Sequence, residues 1–404
     1  MKLLLVTFYW PPAGGGGVQR PLKFATHLPA LGIETHVLAP DDPKWVHEDA
    51  ELAPPSQAWV HRSRFLGPGP KQAETSTTAL AVRRLMLPDA SVPWNVTAIP
   101  AALRIARSEG VDVVLTTSPP GSVHLVGAAV KQLLGIPWVA DLRDSLVAHP
   151  HRRAESALVR VKERASERVA GLVARRADAI VAVSEAIAAE ARGLSPHGRV
   201  ETIPNGCDFD DFAGLEYRPG DCFRITHAGS FFGKRDPRPF LTALAESGLD
   251  DVVARFVGDF RQSDREFAEQ LGLGERLELV PYVSRRRALE LQRDSEALLL
   301  LIPDAAGRGK GVLSGKVFEY LAAERPIVAA VPVDGAAAAL IRETGAGIVT
   351  APDDVAGLRE ALRGLHARWR AGRLDGTPLP PEQRERLSRA ARAEELAELL
   401  RGLV

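Results

Sequence analysis

Short apolar runs of three to six residues, separated by stretches with apolar residues at helical spacing, recur along the whole chain. In the first half Leu3–Phe8, Thr35–Leu38, Val113–Thr116, Trp138–Ala140 and Ala179–Val183 read as strands, with helices over Pro21–Leu31 and Ala98–Ser108 between some of them. Apolar runs that do not alternate with polar residues predict a parallel sheet covered on both faces. The stretch from Asp41 to Ser91 is irregular, rich in Pro, Trp and Arg, and reads as an insertion. After Asn205-Gly206 the pattern restarts with Arg224–His227, Ala254–Gly258, Leu277–Val280, Ala297–Ile302 and Ile327–Ala330. Two restarts of one pattern predict two α/β domains, 1–204 and 205–381, with a cleft between them. Leu387, Ala390, Ala391, Leu396, Leu399, Leu400 and Leu403 then recur at helical spacing behind Leu374–Pro381, a linker with three prolines and a glycine.

A chain of 404 residues suits two such domains. Formal net charge is zero, so a general nucleic-acid role has no electrostatic support. Cys207 and Cys222 lack metal-site spacing, which favours a reducing, cytoplasmic setting over a disulfide framework. No apolar run approaches the roughly 20 residues that span a bilayer, and the apolar start Leu3–Trp10 reads as a first strand. His151–Arg176 reads as an amphipathic helix with eight Arg and Lys against three Glu, a net basic segment on a neutral protein. Its basic face allows peripheral contact with anionic lipid, or is a solvated face over a packed one.

The chemistry concentrates after strand ends. The stretch SGKVFEYLAAERPIVAAVP, from Ser314 to Pro332, reads as a helix running into a buried strand, with Glu319 an acid on an otherwise apolar helix. A carboxylate there can accept two hydroxyl protons at once. Upstream, the loop Pro303–Leu313 carries Gly307, Gly309 and Gly311. Strand, glycine loop and helix start make an anion site, because free backbone N–H groups and the helix dipole both favour phosphate. Gly14–Gly17 directly follow the first strand without the spacing of a dinucleotide fingerprint. Lys234 and Arg235 follow a strand and Gly229; Gly258-Asp259 and Pro281-Tyr282-Val283 end two more strands. WVADLRDS from Trp138, with Arg143 and Asp144, and His124 in SPPGSVHLVG complete the candidates.

Glu201–Phe212 (ETIPNGCDFDDF) with Ala177–Glu190 (ADAIVAVSEAIAAE), the opening LLLVTFYWPPAGGGGVQR, HAGSFFGKRDPRPFLTAL from His227, and SGKVFEYLAAERPIVA lie in a telling order. In that order and spacing the chain resembles the retaining nucleotide-sugar glycosyltransferases of the family-4 group. The resemblance implies two Rossmann-like domains facing across a cleft (GT-B), with 382–404 crossing back onto the N-terminal, acceptor-binding domain and 205–381 binding the donor. It implies a hexosyl transfer from a nucleoside diphosphate sugar, a uridine one expected, to a hydroxyl of a glycan, lipid-linked sugar or small molecule. No cofactor or metal is expected beside the nucleotide sugar.

By the same resemblance Glu319 holds the ribose, and Gly16, Gly17, Gly229, Gly258, Tyr282, Val283, Gly311, Leu313, Ser314, Gly315 and Lys316 surround the donor. Lys234 and Arg235 stabilise the leaving diphosphate, since relatives carry an arginine where this chain has Ser230. Relatives place a histidine near Arg143 or Asp144 to touch the donor sugar, and this chain has Arg-Asp instead. By their own chemistry Asp144 can orient a sugar hydroxyl and Arg143 can bind an anionic acceptor, while His124 is either an acceptor contact or a packed or capping residue at a helix start. The family's first glutamate is absent: eight positions before Glu319 stands Gly311. Two alternatives accompany this reading: a hydrolysing sugar-nucleotide 2-epimerase, and a degenerate glycosyltransferase serving as a partner subunit.

Overall fold

A computed structural model describes residues 1–42, 47–68, 82–147, 157–231 and 234–404. His151 to Ser156 of the basic helix, and part of the segment read as an insertion, lie outside the described residues. The chain divides into two compact units, Met1–Pro204 with Arg389–Val404, and Asn205–Ser388.

Among its described residues the first unit holds seven strands: β1 Lys2–Thr7, β2 Glu34–Pro40, β3 Trp59–Ser63, β4 Val113–Ser118, β5 Trp138–Leu142, β6 Ala179–Ala182 and β7 Arg199–Thr202. They pair in parallel in the order β3-β2-β1-β4-β5-β6-β7. The second unit repeats the plan with β8 Phe223–Ala228, β9 Val252–Val257, β10 Leu277–Val280, β11 Ala297–Leu301, β12 Ile327–Ala330 and β13 Gly347–Thr350. Their order is β10-β9-β8-β11-β12-β13. Each order reverses direction once, between β1 and β4 and between β8 and β11, and ligands of open α/β sheets gather at the carboxyl ends of strands beside such a reversal.

The apolar runs follow from burial on both faces. Along β11, Leu298 and Leu300 join one core cluster with Val317, Phe318, Tyr320 and Leu321 of helix Gly315–Ala323. Ala297, Leu299 and Leu301 point the other way, into a cluster with Phe240, Leu244, Leu358 and Leu362. Successive residues of a strand face opposite sides, so a strand covered on both must be apolar throughout.

All ten strands expected from apolar runs are present. Three more are found: β3 lies inside the supposed insertion, and β7 and β13 are short edge strands whose residues are mostly half-exposed. The C-terminal segment breaks at Ser388, where extended backbone (ψ 156°) ends helix Pro381–Leu387. Residues 382–388 therefore stay with the second unit. Helix Arg389–Arg401 packs into the first, burying Ala393, Leu396 and Leu400, and Arg401 donates to the carbonyl of Leu31 at 2.6 Å.

Candidate functional site

In the second unit, β8 ends in a turn at Gly229, whose φ of +125° disfavours any side chain. A Cβ there would stand 2.0 Å from Lys316 Nζ, so the missing side chain makes room for the lysine. Gly258, at the end of β9 with φ +115°, brings the same turn close: its Cβ would lie 2.9 Å from the Ser230 amide nitrogen.

Helix Gly315–Ala323 starts beside this turn. Its N-cap Ser314 makes no capping hydrogen bond, and the Ser314 hydroxyl is buried without a partner among the described residues. Lys316 and Glu319, three residues apart, project from one side of that helix, while Val317, Phe318 and Tyr320 anchor the other in the core. Tyr320 fixes the register, its hydroxyl accepting the Ala228 N–H at 2.9 Å.

Behind Lys316 lies the fully buried His227. His227 Nδ1 sits 2.8 Å from the Leu299 carbonyl, which makes Nδ1 the protonated nitrogen and leaves Nε2 to accept from Lys316 Nζ at 3.4 Å. Burial, then the charges of Lys316 and Arg235, push His227 well below the usual histidine range, so it is neutral. Burial and the charge of Arg235 likewise hold Lys316 well below the lysine range. Arg235, partly buried itself, donates to the Ser230 carbonyl at 2.9 Å. A partly buried arginine whose charge, with burial, depresses the neighbouring lysine makes the carboxyl end of β8 a place that gains from an anion. Lys234 is exposed and stands outside this group.

Glu319 is engaged. Its Oε1 accepts from Arg285 Nη1 at 2.8 Å and its Oε2 from Gln292 Nε2 at 3.4 Å. Arg285 also donates through Nη2 to Asp211 Oδ2 at 2.9 Å, with Asp208 Oδ2 3.7 Å away. Burial opposes the charge of Arg285, but Glu319, Asp211 and Asp208 outweigh it and hold the guanidinium above the ordinary arginine range.

Tyr282 and Val283 occupy the loop between β10 and helix Arg285–Arg293, both half-buried, and Val283 packs on the core. The glycine loop coils tightly, with Gly307 at φ +80° and Gly309 so close that a Cβ would meet the Pro303 carbonyl oxygen at 1.9 Å. Gly311, Leu313 and Gly315 are half-exposed along its return to the helix. A cavity of about 210 Å³ beside the loop is lined by Asp236, Asp304 and Asp353, a charge pattern that suits no phosphate.

In the first unit, the chain leaves β1 through Gly14–Gly17 into helix Gly16–His27. Gly15 has φ +86°, and a Cβ on Gly15 or Gly16 would meet nothing within 4 Å, so this helix start is open. Gly17 lies against the Tyr9 ring, with 3.4 Å to a would-be Cβ. Arg143 differs from the expectation of an acceptor contact. Its guanidinium donates to three backbone carbonyls, Ser118 at 2.6 Å, Pro119 at 3.2 Å, and Gly17. It clamps the glycine turn to the end of β4. His124 is also corrected: it has no exposed surface, Nδ1 lies 2.8 Å from Thr116 Oγ1, and burial drives its pKa down to about 3. A fully enclosed neutral ring cannot touch an acceptor. Asp144 is exposed at the end of β5.

Residues 15–206 match the glycosyl transferase 4-like domain. The first unit therefore carries a glycosyltransferase-like domain. No curated protein is significantly similar in sequence to the chain. Among solved structures, sucrose-phosphate synthase from Thermosynechococcus elongatus is similar over 100% of this chain and 98% of its own, with TM-score 0.69 and 17% identity. Anabaena HepE, solved with UDP-glucose, covers 100% of both chains with TM-score 0.64 and 17% identity. UDP-GlcNAc 2-epimerase from Methanocaldococcus jannaschii covers 99% of both with TM-score 0.54 and 12% identity. At these identities the likeness shows the fold, that of the two-Rossmann-domain GT-B proteins.

Two residues outside the expected set matter in the two units. Arg20, on the first helix of the glycosyltransferase-like domain, is buried on Asp141: Nη2 donates to Oδ1 at 2.8 Å, while the Thr117 hydroxyl donates to Oδ2 at 2.6 Å. Arg285 donates to Glu319 in the second unit. A signal for the latter exists in the sequence, since Arg285, Arg286 and Arg287 open a helix where the dipole disfavours cations. That signal marks an unusual cation and does not name its partner. The basic helix of the first unit, Ala157–Arg176 as described, buries Ser166, Val169, Ala170, Val173 and Ala174, so that face is occupied by packing.

Proposed function

We propose that the chain is a retaining glycosyltransferase that moves a hexosyl group from a uridine diphosphate sugar to a hydroxyl of a glycan, lipid-linked or small-molecule acceptor. One observation carries this reading: Lys316 and Glu319 share a helix face at the reversal of the second sheet, with Arg235 beside the lysine. A nucleoside diphosphate has matching parts, a ribose diol for the carboxylate and a diphosphate for the two cations. The domain match and a structural neighbour solved with UDP-glucose support the donor class.

In the proposed reaction the acceptor oxygen bonds to the anomeric carbon as the bond to the diphosphate breaks on the same face. The leaving phosphate oxygen takes the acceptor proton, so no protein nucleophile is required. Lys316 and Arg235 stabilise the charge that grows on the diphosphate. Asp144, exposed at the end of β5, is the candidate to orient a sugar hydroxyl.

Incubation with UDP-hexoses and hydroxyl acceptors, with products followed by NMR, tests this. Release of UDP in step with a glycoside of the donor's anomeric configuration is expected. An inverted glycoside removes the retaining mechanism, and epimerised free sugar formed without acceptor selects the epimerase reading instead.

A further inference from the structure

The Arg285 guanidinium touches Glu319 on one side and Asp211 on the other, with Asp208 just beyond. One cation thus serves three carboxylates, all on a part-buried patch where side-chain exposure is 15% for Arg285 and 19% for Glu319. We propose that Arg285 is a positioning residue for ribose recognition: it fixes the Glu319 carboxylate so that its free lone pairs meet both hydroxyls of a nucleoside. This rests on the donor-site reading above.

A carboxylate has about four acceptor positions. Arg285 Nη1 takes one on Oε1, and Gln292 approaches Oε2 only at 3.4 Å. Among the described residues nothing else is bonded to either oxygen, and a vicinal diol needs one free position on each. Without this anchor the glutamate would keep, among the described residues, only the long Gln292 contact at 3.4 Å. The anchor is itself held: Asp211 accepts from both Nε at 3.3 Å and Nη2 at 2.9 Å, which sets the plane of the guanidinium. A planar fork with two fixed partners transmits orientation in a way a point charge cannot.

The test compares nucleoside diphosphates with their 2′-deoxy forms. Calorimetric affinities of UDP, CDP, ADP and GDP, each beside its 2′-deoxy analogue, are measured for wild type, Arg285→Gln, Arg285→Lys and Glu319→Ala, with melting curves to confirm folding. Wild type is expected to prefer the ribonucleotide by about tenfold, the scale of one charge-assisted hydrogen bond. Arg285→Gln should reduce that preference to below about threefold, near that of Glu319→Ala, and Arg285→Lys should fall between. A purely structural arginine would lower the melting temperature and leave the preference intact. A folded Arg285→Gln or Arg285→Lys variant that keeps the full wild-type preference overturns the proposal alone. Wild type that binds no nucleotide, or a preference unaffected in Glu319→Ala, overturns the donor-site reading and this proposal with it.

Discussion

Alanine at both Arg235 and Lys316 is expected to lower turnover by on the order of 10²-fold or more, with the donor Michaelis constant rising less. Charge on the diphosphate grows as the glycosidic bond breaks, so fixed cations act on the transition state more than on the bound donor. The pair differs from the adjacent Lys234 and Arg235, because Lys234 is exposed while the half-buried Lys316 lies against His227 and Gly229. Lys234→Ala should therefore change turnover by about twofold at most. The sign of the pH effect follows from Lys316, whose amine burial and Arg235 hold below the usual lysine range. A bound anion favours the ammonium, so donor affinity falls as pH rises through the lowered value, and Lys316→Arg removes that fall. Steady-state kinetics across pH measure both effects. A double mutant with normal turnover and only a higher Michaelis constant would show that the cations supply ground-state binding alone.

The second large effect is on stability. Arg20→Ala should destabilise the first unit by about 3–5 kcal/mol, because it strands the carboxylate of Asp141 in a dry interior. Exposure of the two side chains is 3% and 1%. Arg20 also donates to the carbonyls of Ile203 and Pro204, the last residues of the unit's main segment, so its loss unties that end as well. Urea unfolding followed through the buried Trp10, Trp94 and Trp138 reads the transition of this unit. A cost under about 1 kcal/mol would mean that water enters and solvates Asp141.

Strands covered on both faces were legible in the sequence because burial leaves an uninterrupted apolar run, as in Leu298–Leu301. β3, β7 and β13 were not, since their short half-exposed sequences, WVHRS, RVET and GIVT, carry neither that run nor a strict alternation, whereas the half-exposed edge strand β10 was legible through Leu277, Leu279 and Val280. Lys316 and Glu319 were legible because three positions on one helix share a face whatever the tertiary structure. Arg285 with Glu319 and Arg20 with Asp141 are separated by 34 and 121 positions, and no local pattern encodes such a pair. Arg143 and His124 mark the opposite failure. Residue type suggested a ligand contact, whereas three backbone carbonyls claim the arginine and the core encloses the histidine.

The central claim is that the second unit binds a nucleoside diphosphate through Glu319. Titration calorimetry of UDP against wild type and Glu319→Ala, side by side, tests it most directly. The account predicts measurable binding to wild type, weakened in the mutant by about 1.5–3 kcal/mol, the worth of hydrogen bonds to a charged group. Equal affinity within about twofold would contradict it and place the nucleotide elsewhere.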